Sequence, residues 1–108
     1  MTIGIVGGLD RAEPAYRSLA ARAGHTAEFH RGDVGGRGAA TLGALLRRVE
    51  LVIVVTDVNS HGSVQLSRRV AKALGVRVLL LRRLSPSRFG VLLQALDAAA
   101  AHAAAAHA

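Results

Sequence analysis

The apolar positions of this chain fall into short continuous runs that alternate with helix-spaced stripes, four times over. Ile3 to Val6 is a compact apolar run closed by Gly7-Gly8, which predicts a strand followed by a sharp turn. After it, Asp10-Arg11-Ala12-Glu13 has the acid-x-x-Glu spacing of a capped helix start, and Tyr16, Leu19, Ala20 and Ala23 recur on one helical face until Gly24 stops it. Thr26 to His30 reads as a second strand that enters the glycine-rich stretch Gly32 to Gly38. Leu42, Leu45, Leu46 and Val49 mark a second helix, with Arg47 and Arg48 near its end, where cations complement the helix dipole.

Leu51 to Val55 is β-branched and apolar on both faces, the pattern of a central parallel strand covered by helices on both sides. Asn59 or Ser60 can cap the helix that follows, whose Val64, Ser67, Val70, Ala71 and Leu74 share a face up to Gly75. Val76 to Leu81 makes a fourth strand. Ser85-Pro86 then supplies an N-cap with proline at the first helical position, ahead of Phe89, Leu92, Leu93 and Leu96. Beyond Asp97 the chain becomes alanines interrupted by His102 and His107, so the last helix either runs on or frays.

Four strand-helix units in strict alternation predict an α/β fold with right-handed crossovers: a three-layer Rossmann-like or flavodoxin-like domain on a four-stranded parallel sheet of order 2-1-3-4. Residues 1–98 form this single α/β domain, and 99–108 an Ala- and His-rich C-terminal tail. So short a sheet leaves an edge open, and a homodimer or larger homo-oligomer is expected.

Composition narrows the chemistry. Tyr16, Phe29 and Phe89 are the only aromatic residues, so the core is aliphatic. The absence of cysteine excludes disulfides and thiolate metal sites. Met1 to Val6 lacks a basic leader and runs straight into a strand, and no apolar run approaches the roughly 20 residues that span a bilayer, so the expectation is a cytoplasmic protein without a membrane partner. The formal charge of +7 favours anionic partners, but the arginines are spread over every segment and the aromatic platforms of single-strand binders are nearly absent, which argues against nucleic acid.

In open parallel sheets the ligand sits beyond the carboxyl ends of the strands, where the order reverses. In the 2-1-3-4 order that point lies between strands 1 and 3. The candidate binding residues are therefore Gly7, Gly8 and Arg11 after strand 1, Thr56, Asp57, Asn59, Ser60 and His61 after strand 3, His30 and Arg31 after strand 2, and Arg82 and Arg83 after strand 4. Gly4 to Gly8 lacks the G-x-G-x-x-G spacing of a dinucleotide site, and strand 2 ends in His30 rather than an acid that would hold a ribose. Asp57 resembles a phosphoacceptor, yet Asp10 stands alone and Lys72 falls in a helix, so phosphorelay chemistry lacks its partners. His61 at a helix start stays neutral against the dipole and is the candidate metal ligand, with His30 and Asp33 as neighbours that either complete a site or lie on a loop surface. His25, His102 and His107 read as surface residues. No Gly-x-Ser-x-Gly elbow, P-loop or His-Glu-x-x-His occurs, and no acid, base or nucleophile marks an enzyme.

Ile3-Gly4-Ile5-Val6-Gly7-Gly8, Tyr16 to Ala20, Phe29-His30 before Gly35-Gly36, Thr56 to His61, and Leu80 to Arg83 before Phe89, in that order and spacing, resemble the bacterial family catalogued as domain of unknown function 2325 (DUF2325). The resemblance runs from about Ile3 to Leu96. It implies the small Rossmann-like fold and, from what is indicated for some members, haem binding with dioxygen or another diatomic gas, His61 being the axial ligand and Arg11, Arg31, Arg82 and Arg83 the partners of the propionates. The chain departs from commoner members in lacking their cysteines, in Asn59 where an apolar residue is frequent, and in a longer glycine loop after His30. The alternatives are a module for a phosphorylated metabolite or nucleotide, held on Gly7-Gly8 and the helix N-termini with Arg11 and Arg82, and a structural or interaction domain without ligand.

Overall fold

A computed structural model describes every residue except Val58 and Ala108, and every side chain except those and that of His107. Its elements run β1 (Thr2–Val6), a single 3₁₀ turn (Asp10–Ala12), α1 (Glu13–Arg22), β2 (Thr26–His30), α2 (Gly38–Arg48), β3 (Leu51–Val55), α3 (His61–Leu74), β4 (Arg77–Leu81) and α4 (Pro86–His107). The four strands are all parallel in the order β2-β1-β3-β4, as the alternation predicts.

Strand alternation divides the core into two. Ile3, Ile5, Leu51, Ile53 and Val55 face α1 and α4, where Tyr16, Ala20, Phe89 and Leu93 close over them. Val6, Val52 and Val54 face α2 and α3, against Leu42, Leu45, Leu46 and Ala71. β3 is buried along its whole length because it has a strand on each side and helices on both faces. Removing each such aliphatic side chain from water stabilises the fold by about 1.5–3 kcal/mol before conformational entropy is subtracted. The three aromatic residues, far apart in sequence, meet on the α1–α4 face: the Tyr16 ring lies 5.4 Å from Phe89, edge on, and 6.3 Å from Phe29.

The local start and stop signals hold with one exception. Ser60 caps α3 through its Oγ, which accepts from the Ser63 N–H at 3.0 Å, and Gly75 ends that helix at φ +72°. Ser85 caps α4, its Oγ accepting from the Arg88 N–H at 3.1 Å, with Pro86 first in the helix. The Asp10–Glu13 capping box does not form. Asp10 opens the 3₁₀ turn and lies near Arg31, while Glu13 pairs with Arg17 one turn on at 2.8 Å. Leu74, expected on the buried face of α3, is 47 % exposed; small Ser63, Ser67 and Ala71 face inward instead and bring α3 close to the sheet.

One further expectation changes. His25 is not a surface residue: its side chain is 11 % exposed, its Nε2 meets Asp97 Oδ1 at 2.8 Å and its Nδ1 meets the Met1 amino group at 2.7 Å, tying α4 to the start of the sheet. The alanine-rich tail continues α4 as helix to His107, alanine being the best helix former. Over Pro86–Ala106 this helix is long and apolar enough to cross a membrane by length and composition, with a mean hydropathy of 1.3, although Phe89 and Leu93 lie in the core of the domain.

Candidate functional site

Backbone pairing continues past the strand ends and fixes what stands there. The Thr56 and Asp57 N–H groups donate to the Leu81 and Arg82 carbonyls at 2.8 and 3.0 Å, which holds the β3 and β4 exits side by side. Gly7 N–H donates to the His30 carbonyl at 2.8 Å and does the same for β1 and β2. The crevice left between β1 and β3 is where the reversal of order would seat a ligand.

Asn59 fills it. Its Nδ2 donates to the Val55 carbonyl at 2.8 Å and to the Val6 carbonyl at 3.3 Å, joining the last residues of the two strands that flank the reversal. Gly7 and Gly32 lie against this amide at φ +92° and +88°, and a Cβ on either would fall within 2.6 Å of an Asn59 side-chain atom. Both glycines therefore serve the close approach of Asn59 as well as their turns. Ser60 Oγ donates to the Gly32 carbonyl at 2.8 Å and closes the same side. His30 extends the network: its Nδ1 accepts from the Gly32 N–H at 3.0 Å, which leaves the proton on Nε2, within 3.1 Å of the Gly38 carbonyl and 3.0 Å of Thr41 Oγ1. Both ring nitrogens are engaged, so His30 braces the glycine loop and has no nitrogen left for a metal.

On the α1–α4 side the same strand ends stay open. A cleft of about 660 Å³ lies between the β1 exit and the β4–α4 connection, walled by Leu9, Ala12, Ala15, Val55, Leu84 and Pro86 and floored by Tyr16. The Tyr16 hydroxyl donates to the Leu84 carbonyl, which ties the β4–α4 connection down onto α1, and burial pushes the Tyr16 phenol above its ordinary value. Arg11, Arg82 and Arg83 stand at the mouth with Asp57. Arg83 Nε donates to Asp57 Oδ2 at 3.0 Å and Arg82 Nε lies 3.5 Å from Asp57 Oδ1. The hydrogen bond from Arg83, followed by the charges of both guanidiniums, holds the Asp57 carboxyl below the usual carboxylate range against its own desolvation.

The predicted residues thus separate into groups. Gly8, Arg11, Asp57, Arg82 and Arg83 belong to the cleft. Gly7, Asn59 and Ser60 form the plug. His30 and Arg31 border a shallower depression on the β2 side, with Asp33. Thr56 turns its hydroxyl toward the Leu81 carbonyl, at 3.4 Å. His61 is exposed as the first residue of α3 and lines neither the cleft nor the depression. Val58, inside the proposed turn, lies outside the described residues. The sequence reading did not count Ala12, Ala15 and Tyr16 toward the site. The β1 exit, which runs straight into a helix start, was the signal available for them.

The chain matches the family described as "Uncharacterized protein conserved in bacteria (DUF2325)" over residues 2–96. It belongs to that family. No curated protein and no solved structure matches this family member. The haem that the resemblance implies can be set against the geometry. The cleft is large and apolar enough for part of a flat ligand, but no imidazole lines it, the Tyr16 hydroxyl is engaged by Leu84, and His61 stands on the α2–α3 side beyond the plug. No group of three or more His, Asp or Glu able to hold a metal occurs among the described residues. The residues present do not fit a haem seated in this cleft with His61 as its ligand.

Proposed function

We propose that this DUF2325 member is a binding module for a small molecule that combines an apolar body with an anionic group, as a phosphorylated metabolite or nucleotide does. One observation carries the reading: an apolar cleft at the carboxyl ends of a parallel sheet whose mouth is lined by Arg11, Arg82 and Arg83. Apolar walls give affinity without direction, and a few convergent polar groups orient the ligand. Guanidinium groups suit carboxylates and phosphates because their planar donors bind two oxygens at once. The helix dipoles of α1 and α4, which begin at the cleft, add to the attraction for an anion. The ionisable groups at the cleft favour binding over catalysis: Asp57 is engaged by two guanidiniums and Tyr16 by a backbone carbonyl.

A thermal-shift screen of nucleoside monophosphates, aryl phosphates and aryl carboxylates tests the reading. A ligand present at 100 times its Kd stabilises the fold by about 2.7 kcal/mol. Such a shift is expected, and the Arg82→Ala/Arg83→Ala double variant should lose most of it. No stabilisation by any compound of these classes overturns the proposal. Haemin belongs in the same screen, since a sharp Soret band abolished by His61→Ala would replace this reading with the haem one. Self-association through an open sheet edge, with β4 carrying the half-exposed Leu80, is read from light scattering on the same samples.

A further inference from the structure

Beyond the Arg82-Arg83 wall of the cleft lies a second hollow of about 600 Å³, lined by Leu81, Arg82, Arg83, Ser85 and Arg88. Its charged groups are all cationic. No Asp or Glu occurs between Asp57 and Asp97, so the chain that builds α3, β4 and the first turns of α4 carries positive charge alone. Asp57 approaches Arg82 and Arg83 at their Nε atoms, at 3.5 and 3.0 Å, so one carboxylate is shared by two guanidiniums and a net positive charge remains. Both side chains are more than 80 % exposed. Arg88 makes no ion pair among the described residues and sits in the first turn of α4, where an anion gains from the helix dipole.

We infer that Arg82, Arg83 and Arg88 form a second anion subsite, continuous with the apolar cleft across Arg82 and Arg83, so that the ligand is an organic di- or triphosphate rather than a monophosphate. The inference rests on the proposed function for the organic part of the ligand, and on the second hollow for its phosphates. The apolar body occupies the cleft, the first phosphate meets Arg82 and Arg83 at the mouth, and the later phosphates pass to Arg88 at the start of α4. This places phosphate recognition after the fourth strand. The Gly7-Gly8 turn after the first strand, where the sequence invites it, is next to the Asn59 plug.

Calorimetric titration of the full chain with adenosine mono-, di- and triphosphate and with inorganic tripolyphosphate, at one fixed salt concentration, tests it. Affinity should rise at least about tenfold from mono- to triphosphate, the scale of added charge-assisted hydrogen bonds. Arg88→Ala should abolish that rise while changing monophosphate affinity less than about threefold, and Arg47→Ala, the same charge removed at the other end of the sheet, should leave the whole series unchanged. Equal affinities across the series, with no effect of Arg88→Ala, overturn the subsite and leave the binding-module reading standing. Equal losses in Arg88→Ala and Arg47→Ala reveal general charge attraction and also overturn the subsite. Tripolyphosphate bound as tightly as adenosine triphosphate, and weakened by Arg88→Ala, supports the subsite and overturns the reading of an apolar body in the cleft. Binding by none of the four overturns the subsite, and the binding-module reading then stands or falls on the aryl phosphates and aryl carboxylates of the thermal-shift screen.

Discussion

The two sides of the strand ends start from similar material and finish differently. Toward α2 and α3, the polar residues that leave the strands turn inward onto the backbone: Asn59 joins the Val6 and Val55 carbonyls through its Nδ2 while its Oδ1 is buried without a partner among the described residues, Ser60 and His30 hold the glycine loop, and the crevice between β1 and β3 is closed. Toward α1 and α4, the side chains at the same level are Leu9, Ala12 and Ala15, too short or too apolar to bridge the gap, and the cations stay at the rim. A polar residue at a strand exit is a candidate for binding only when the backbone around it does not already use it. The amide of Asn59 has the reach and the donor to close a gap between two strand carbonyls; an arginine tethered to an exposed carboxylate closes nothing.

The largest effect should come from disturbing the closed side. Gly32→Ala puts a Cβ onto Asn59 at a backbone angle that L-residues resist, and should destabilise by about 2–4 kcal/mol in urea unfolding. With Asn59→Ala in the same chain, part of that cost should disappear, because the clash is with the Asn59 side chain; strictly additive losses would show that the two do not meet. On the open side, Tyr16→Phe keeps the ring cluster and leaves the Leu84 carbonyl without its donor, for about 1–2 kcal/mol and a looser β4–α4 connection. The raised phenol also predicts the sign of an alkaline limb. With the folded pKa above that of the unfolded chain, the Tyr16 contribution is complete below about pH 10 and is lost as pH rises through the folded value, a loss that Tyr16→Phe should not show.

The smallest effects belong to the rim. Arg82→Ala should leave the unfolding midpoint unchanged at neutral pH, since an exposed ion pair contributes little, while weakening anion binding in the cleft. Asp57 has the opposite sign from Tyr16. Its folded pKa is depressed, so its small contribution is present above the ordinary carboxylate pKa of about 4 and is lost as pH falls through the lower folded value. The wild type and Asp57→Asn should therefore converge at the acid end of a stability profile. A divergence there would mean that Asp57 answers to groups other than Arg82 and Arg83.

Much of the fold was legible along the chain because its signals are local. The apolar run at Leu51–Val55, the Ser85-Pro86 start and the Gly75 stop depend on neighbours within a few residues, and the strict alternation of elements leaves few topologies for a parallel sheet. The failures have two causes, one within a helix and one tertiary. Glu13 pairs with Arg17 one turn along its own helix, and His25, polar and next to a glycine, is tied to α4 by Asp97, which lies 72 residues away in sequence.

The sequence by itself determined the sheet, its order, the end at which polar residues gather and the helical character of each connection, since hydrophobic period and turn residues encode these directly. Only the tertiary structure decided which of those polar residues are free. The closing of the β1–β3 crevice by Asn59, the meeting of Tyr16, Phe29 and Phe89 beneath the cleft, and the grouping of Arg82, Arg83 and Arg88 around a hollow depend on distances between segments far apart in the chain. Those distances are set by how the helices pack on the two faces of the sheet, and no spacing along the chain records them.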